Sequence, residues 1–363
     1  MKKVQLQSYL SERISIELQR NVNRSLKLKG LQHYALMADA HLADQAAVGS
    51  VIATKDYLYP RAIGKDIGCG MLTVPFDLDA NQFLFRMPEL LVELQKSQPL
   101  IKQSSLETAP KLPNSLRVEE LHCYGGESWS RLARIEAGTV GRGNHFIEFQ
   151  IDEQEQVWLI VHTGSRGIGQ KISLSYEDCL AADSVEGEAF LADMHWAISY
   201  AEWNRQLILE KISELMKRLF LSRLLLEEMI HCQHDHIRQE NHFGEDLWVH
   251  RKGANSADKG EAVIIAGSMA TPTHHVEGKG EALSLKSCSH GAGRCMSRSE
   301  ARSRISTHKL QQETQMVYYD QRRLKARCEE APSAYKDIDE LMKQQRKLVK
   351  IKRRLRPVLN YRF

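Results

Sequence analysis

Four short segments of the chain place Asp, Cys or His next to glycine or a short polar residue, and these three residue types can bind a divalent metal ion. The candidate ligands in these segments are Asp66, Cys69, His145, His162 and His234. Asp66 and Cys69 lie three residues apart in a glycine-containing loop, a spacing that can bring both side chains to one ion. A thiolate and imidazoles favour metals softer than magnesium, and a carboxylate is compatible with manganese or iron. Because one thiolate can bridge two ions, the set is compatible with a dinuclear site.

A fifth segment, Ser289–Arg294, places His290 beside Gly291, Gly293 and an arginine. Histidine can act as a nucleophile toward phosphorus. Glycines allow backbone N–H groups to approach phosphate oxygens closely, and arginine offers a planar fork to an anion. The segment therefore indicates phosphoryl or nucleotidyl transfer, beside a metal site built from residues far upstream.

These motifs resemble the RtcB family of RNA-splicing ligases, which join RNA ends using GTP and manganese. The matching segments run in the family's order from about Asp39 to Glu330–Asp337, which is most of the chain. The motifs are long and contain rare residue types, so chance similarity is a poor explanation.

The resemblance implies two manganese ions and a covalent histidine intermediate. Asp66, Cys69 and His145 would hold one ion, and Cys69, His162 and His234 would hold the other. His290 would take GMP from GTP, with the carboxylate of Asp39 holding the second ring nitrogen. Two departures from the family pattern stand out: Asp235 replaces an asparagine, and residues 42–45 replace a proline and glycines.

The resemblance also implies a GTP pocket and an RNA-binding surface. Glu148 is the candidate acceptor for the guanine N1 and N2 hydrogens, and Phe146 a wall for the base. Asn144 would bind a phosphate oxygen during catalysis. Further candidates around the nucleotide are Gly267, Ser268, Thr273, Gly291, Gly293 and Lys336. Arg166 and Arg298 match family positions that bind phosphate, and Arg251, in a further basic pair with Lys252, is a third candidate RNA-phosphate ligand. The basic run 350–356 is either a solvated helix face or a further RNA contact.

The function that this resemblance implies is a GTP-dependent RNA ligase. It would join a 2′,3′-cyclic phosphate or 3′-phosphate end to a 5′-hydroxyl end. The substrate could be a cleaved tRNA, rRNA or mRNA, since fragments of all three carry the same ends. Two alternatives stay open: a dinuclear metal phosphodiesterase or phosphatase with the same ligands, and a non-catalytic RNA-end-binding protein.

The composition is that of a globular protein, with 363 residues, 42% hydrophobic and 26% charged. A net charge of +4 does not by itself indicate a nucleic-acid-binding protein. Seven irregularly spaced cysteines favour reduced thiols, and no signal-peptide core or membrane-length apolar run occurs. We therefore expect a cytoplasmic protein without a membrane partner. The short N-terminus and the altered loop after Asp39 suggest a specialised branch that repairs RNA beside a partner protein.

The elements that must position these residues are predicted to form a mixed α/β fold of the RtcB type. We expect a single domain over residues 1–363, with central β-sheets flanked by helices. The apolar run Val157–Val161 predicts a buried strand that ends at His162. Helical spacing over about 187–240 predicts a hairpin of two long helices inserted in this domain. Beyond Glu300 the pattern is charged and helical.

Overall fold

The described part of the chain contains both helices and sheets, which confirms the mixed α/β class. The computed structural model describes residues 6–11 and 14–363. The strands are β1 Leu6–Ser8, β2 Leu31–His41, β3 Val48–Thr54, β4 Tyr57–Leu58, β5 Gly70–Asp79, β6 Phe146–Ile151, β7 Gln156–Thr163, β8 Leu180–Ala181, β9 Ile230–Gln233, β10 Asp235–His242, β11 Glu245–Lys252, β12 Ala254–Ser256, β13 Ala262–Ile265, β14 Thr273–Gly278, β15 Ser287–Ser289, β16 Tyr318–Tyr319 and β17 Val349–Tyr361. The helices are α1 Ile16–Ser25, α2 Ala80–Ser97, α3 Glu127–Glu136, α4 Arg166–Ser175, α5 Val185–Phe220, α6 Arg298–Arg304, α7 Thr307–Glu313, α8 Leu324–Arg327 and α9 Ile338–Gln344.

Two sheets supply the scaffold for the site. The larger has the strand order β13-β14-β17-β6-β7-β5-β9, and all of these neighbours are antiparallel. The second has the order β1-β2-β3-β11-β10. The last residue of β9 is Gln233 and the first of β10 is Asp235, so His234 lies where the chain passes from one sheet to the other.

The two faces of the larger sheet pack against different partners. Val157, Leu159 and Val161 of β7 contact residues of α2 and α5. Ile160 belongs to the core cluster shared with the second sheet. Because side chains alternate between the two faces of a strand, His162, two residues after Ile160, lies on the same face and points toward the second sheet. Phe146 at the start of β6 joins the same cluster.

The predicted helical hairpin is wrong in its second half. One helix, α5, spans Val185–Phe220, and the chain then forms β9 and β10. Leu221, with φ of 56°, ends the helix in the left-handed conformation. The leucines that follow Phe220 continue the apolar spacing of the helix, which explains why the segment resembles a second one. In the structure, Leu225 N–H donates instead to the Pro75 carbonyl of the larger sheet.

The basic run 350–356 is also not helical. It lies in β17, which pairs with β14 on one side and β6 on the other. Its cationic side chains pair with carboxylates of neighbouring elements: Lys352 with Glu277, Arg353 with Asp152 and Glu228, Arg354 with Asp339, and Arg356 with Glu155. The strand is hard to recognise in the sequence because the consecutive charges Lys352, Arg353 and Arg354 interrupt the alternation of apolar and polar residues until Leu355. None of the helices in the described ranges has the length and apolar character to cross a bilayer.

Candidate active site

The strand order of the larger sheet brings the predicted metal ligands together. β5 lies between β7 and β9, and Gly70 pairs with Thr163 on one side and Gln233 on the other. The residue next to each of these three positions is therefore a candidate ligand: Cys69, His162 and His234. A backbone hydrogen bond of 3.0 Å from His234 N–H to the Cys69 carbonyl fixes two of them to each other.

The five candidate ligands form two groups that share Cys69. One group is Asp66, Cys69 and His145, and the other is Cys69, His162 and His234. The Cys69 Sγ lies 3.4 Å from Nε2 of His145 and 3.4 Å from Nε2 of His162. His145 Nε2 is 3.1 Å from Asp66 Oδ2, and the Nε2 atoms of His162 and His234 are 3.3 Å apart. These are the two ligand sets that the resemblance implies.

Hydrogen bonds outside the two groups orient the ligands. Asp66 Oδ1 accepts from the backbone N–H of Arg166 at 2.9 Å and from the Ser165 hydroxyl at 3.2 Å. His145 Nδ1 donates to the Val140 carbonyl at 3.1 Å, which leaves Nε2 with a lone pair. Burial alone would raise the pKa of Asp66, but its hydrogen bonds and the charge of Arg166 outweigh it and lower that pKa.

The chemistry of this cluster fits a divalent cation. Burial lowers the pKa of His162 and of His234 far below the usual value, so both imidazoles are neutral and present lone pairs. Burial raises the pKa of the Cys69 thiol, whereas a bound metal ion would favour the thiolate. Several buried lone pairs within 3.4 Å of one another repel unless a cation lies among them. Thiolate, imidazole and carboxylate donors together suit a transition metal.

His290 is paired with Asp39, as predicted, across 251 positions of the chain. Its Nδ1 donates to Asp39 Oδ2 at 2.7 Å, and the backbone N–H groups of His290 and Gly291 point at the same oxygen. Burial would raise the pKa of Asp39 and lower that of His290, but their mutual hydrogen bond reverses both shifts. The His290 ring lies 4.7 Å from the His234 ring, measured between centroids, so the histidine adjoins the metal-ligand cluster.

A cleft of about 950 Å³ opens beside His290 and His162. It begins near the cluster and extends along Gly267 and Ser268 toward α6. The predicted nucleotide and catalytic residues that line it are Asn144, Phe146, Gly267, Ser268, His290, Gly291, Gly293 and Lys336. Lys336 Nζ donates to the carbonyls of Ala38 and Ala40, on either side of Asp39. The cleft therefore holds most of the predicted nucleotide site in one place.

Glu148 and Thr273 lie behind the wall of this cleft rather than on it. Glu148 is 2% exposed, and its two carboxylate oxygens accept bonds of 2.6 Å from Gln150 and from Asn360. Thr273 is 1% exposed, and its hydroxyl accepts from Gln150. Burial raises the pKa of Glu148 to about 7, against the opposing effects of Gln150 and Arg362.

Of the three predicted RNA-binding arginines, Arg298 lines the cleft and Arg251 is a wrong prediction. Arg251 is fully buried, and its guanidinium pairs with Glu240 and donates to Ser287 and to the Leu285 carbonyl. It is therefore a structural residue of the second sheet. Arg166 is half-buried, and its backbone N–H contacts Asp66, so it adjoins the metal-ligand cluster.

The structure adds a group of cleft residues around Glu330. The Glu330 carboxylate pairs with Arg294, Arg298 and Arg362, with nitrogen–oxygen distances of 3.2 to 3.5 Å. Arg362 also packs over the Phe146 ring, 5.0 Å from its centroid, and lines the cleft. Three guanidiniums around one carboxylate leave a net positive charge for an anion. Arg362 is absent from the sequence-based prediction because an arginine at the end of a basic strand has no local signature.

Comparison with known proteins agrees with this geometry. A family model described as "tRNA-splicing ligase RtcB" matches residues 21–129 and 127–362. The RNA-splicing ligase RtcB of Escherichia coli K12 is 34% identical, over 90% of this chain and 89% of its own length. The tRNA-splicing ligases RtcB of Methanococcus maripaludis and Pyrobaculum aerophilum are 28% and 25% identical, over 91% and 87% of this chain and 88% and 84% of their own lengths. Since both the family model and a relative above 30% identity span nearly the whole chain, this protein belongs to the RtcB family.

Proposed function

We propose that this protein is an RNA ligase that joins a 2′,3′-cyclic phosphate or 3′-phosphate end to a 5′-hydroxyl end, using GTP. The observation that carries the proposal is the His290–Asp39 pair, 2.7 Å apart, placed against a Cys/His/Asp cluster at one end of a large cleft. A histidine whose Nδ1 is held by a carboxylate presents Nε2 as a nucleophile. Membership of the RtcB family supports the same reaction class.

In the first step, His290 Nε2 attacks the α-phosphorus of GTP. A phosphorus–nitrogen bond forms, the bond from phosphorus to the leaving oxygen breaks, and pyrophosphate departs. The ring becomes positively charged as the bond forms, and the buried Asp39 carboxylate stabilises that charge through Nδ1–H. Asp39 therefore fixes which nitrogen reacts and lowers the energy of the charged ring.

Asp66, Cys69 and His145 would hold one divalent ion, and Cys69, His162 and His234 would hold a second, for which we propose manganese. When bound, such ions neutralise phosphate charge and align the reacting groups. The chain's contribution is to hold these donors at fixed spacing and to keep both His162 and His234 neutral.

The cleft residues would bind the triphosphate and the base of GTP. Gly291 and Gly293 follow the nucleophile and allow the backbone to approach phosphate oxygens. The base would lie against Phe146 and Arg362, which pack on each other, and would reach toward Glu148 behind them. Each Glu148 oxygen accepts one bond within the protein, and a carboxylate has lone pairs for about four, so N1–H and N2–H of guanine can still be accepted.

The remaining steps act on RNA. A cyclic phosphate is opened by water to a 3′-phosphate. An oxygen of that phosphate then attacks the phosphorus of the GMP held on His290, which breaks the phosphorus–nitrogen bond and forms a mixed anhydride. Finally, the 5′-hydroxyl oxygen attacks the RNA phosphorus and releases GMP. Arg298, 46% exposed on the cleft rim, would bind an RNA phosphate, and Asn144, 3.4 Å from it, a phosphate in the cleft.

A joining assay tests this proposal against its two alternatives. An RNA ending in a 2′,3′-cyclic phosphate is mixed with a labelled 5′-hydroxyl RNA, GTP, manganese and the protein. A joined product that needs GTP is the expected result. Opening or removal of the terminal phosphate without joining would instead indicate a metallophosphodiesterase or phosphatase. Retention of both RNAs, unchanged but bound, would indicate an RNA-end-binding protein; either of these outcomes contradicts the proposal.

A further inference from the structure

The long helix α5 carries two adjacent polar side chains that are completely buried. Asn204 and Arg205 are both 0% exposed, at the middle of the helix. Burying a guanidinium is costly unless acceptors surround it, because it gives up its hydration. The acceptors around this pair therefore reveal what the helix is built to hold.

Arg205 donates to the backbone of two segments that carry metal ligands. Its Nη1 lies 2.6 Å from the Thr163 carbonyl and 3.1 Å from the Gly68 carbonyl. Thr163 directly follows His162, and Gly68 directly precedes Cys69. Gly70 and Thr163 form the last backbone pair between β5 and β7. At that end of the two strands, one guanidinium nitrogen thus connects the segment that carries Cys69 to the segment that carries His162.

The same guanidinium reaches the third ligand segment. Its Nε donates to His231 Nε2 at 2.8 Å, and His231 lies in β9, three residues before His234. Burial and the charge of Arg205 lower the pKa of His231 to about 3, so the ring is a neutral acceptor. Arg205 therefore contacts all three segments that supply Cys69, His162 and His234.

Asn204 lies beside a fourth segment, the one that carries the candidate ligand His145. Its amide accepts from Thr139 N–H at 3.2 Å and donates to the Thr139 carbonyl at 3.1 Å and to the Gly164 carbonyl at 3.3 Å. The next residue, Val140, supplies the carbonyl that holds His145 Nδ1. The Thr163 hydroxyl also donates to that carbonyl, at 2.6 Å. Asn204 therefore fixes the turn that orients His145.

We propose that Asn204 and Arg205 are positioning residues for the metal centre, which set the spacing of its ligands from behind. The inference rests on the proposed metal-dependent function. Lysine cannot replace the arginine, since its ammonium lacks the planar fork that spans several acceptors in fixed directions. The helix α5 then fixes the distances between the segments that carry Cys69, His162 and His234, because its Arg205 hydrogen-bonds to all three.

The test compares Arg205→Lys with the matched control Arg218→Lys, which lies on the same helix with 62% of its side chain exposed. Cobalt(II) replaces the native metal because its visible bands report ligand geometry and its near-ultraviolet band reports a thiolate ligand. We expect Arg205→Lys to weaken cobalt binding about 10- to 100-fold, by chelator competition, and to change the visible bands. Arg218→Lys should keep the wild-type affinity and spectrum.

Thermal unfolding of the metal-free proteins separates positioning from general stability. A folded Arg205→Lys protein with the wild-type affinity and spectrum would overturn the inference. A folded Arg205→Lys protein that has a lowered melting temperature but an unchanged affinity for cobalt would also overturn the inference. If Arg205→Lys does not fold, Asn204→Ser decides instead: a changed cobalt spectrum at wild-type thiolate absorbance supports the inference, and an unchanged spectrum overturns it. A wild-type protein that binds no cobalt would contradict the proposed function itself.

Discussion

At the scale of single residues, the pairing of His290 with Asp39 determines which ring nitrogen can react. The two side chains are 251 positions apart, so no local pattern joins them. Resemblance to a family predicted the pair, and the 2.7 Å bond agrees with it. The prediction for Arg251 rested on its basic pair with Lys252 and failed, because such a pair looks the same in sequence whether the arginine is exposed or, as here, paired with Glu240 in the core.

The first prediction concerns the role of His290 after the nucleotide has been transferred. His290→Ala should abolish joining of an RNA with a plain 3′-phosphate, yet still seal an RNA that already carries a 3′-end activated with GMP. The physical reason is that the last step needs the metal ligands and the cleft, whereas the imidazole is needed only to take GMP from GTP and to pass it to the RNA 3′-phosphate. The measurement is sealing of both RNAs, with metal content as a control. Loss of sealing on both RNAs at full metal content would contradict the assignment.

The second prediction concerns base recognition by Glu148. Glu148→Gln should weaken the use of GTP by about 1.5 to 3 decades while leaving RNA affinity nearly unchanged. An amide offers a donor where guanine also offers one, which costs on the order of 2–4 kcal/mol. Labelling of the protein by GTP, titrated against ATP, measures the effect. Equal use of ATP and GTP by the wild type would show that Glu148 does not read the base.

The third prediction follows from the pKa of Glu148, which burial raises from 4.5 to about 7. The folded protein then binds a proton at Glu148 more tightly than the unfolded chain. The free energy of unfolding must therefore fall as pH rises from about 5 to about 8, by on the order of 3 kcal/mol from this group. An amide in place of this carboxyl does not titrate, so the Glu148→Gln protein should gain stability relative to the wild type over this range. Urea unfolding of both metal-free proteins at several pH values measures this, and a constant difference would refute it.

At the scale of elements, the strand order β7-β5-β9 explains how ligands from distant segments meet. The sequence correctly predicted β7, which carries His162 next to its last residue, because Val157–Val161 is uniformly apolar. It did not predict β9, since the leucines after Phe220 continue the spacing of α5. Helical and strand patterns overlap in short apolar runs, and only tertiary pairing decides between them. The buried Arg205 was missed for a related reason: one arginine in a long helix normally faces solvent.

A prediction at this scale concerns Cys69, which ends the loop before β5. Cys69→Ser should lose both metal ions and all joining activity, because Cys69 Sγ belongs to both ligand groups. A serine hydroxyl stays protonated and is a poor ligand for a transition metal. Cys288→Ser, at a buried cysteine outside the cluster, is the matched control and should keep both ions. Elemental analysis that finds two ions in Cys69→Ser would contradict the shared ligand.

At the scale of the whole molecule, the local clustering of charged side chains is more informative than the net charge. The net charge of +4 is small, yet Arg294, Arg298 and Arg362 surround one carboxylate beside the cleft. Meanwhile, the most basic run of the sequence pairs with carboxylates across β17. Counting charges along the sequence therefore points to β17 rather than to the cleft. The carboxylates that neutralise the basic run come from neighbouring elements, and the sequence does not show which elements those are. A cytoplasmic location and a partner protein stay predictions.

Covalent labelling by GTP tests the central claim most directly. The wild-type protein is incubated with manganese and GTP labelled at the α-phosphate, and is then denatured. The account predicts a label that stays on the chain, is released by mild acid as expected for a phosphorus–nitrogen bond, and is absent from His290→Ala. GTP labelled at the γ-phosphate should leave no label, because pyrophosphate departs. A wild-type protein that carries metal but no label, or a His290→Ala protein that is labelled as strongly as the wild type, would contradict the account.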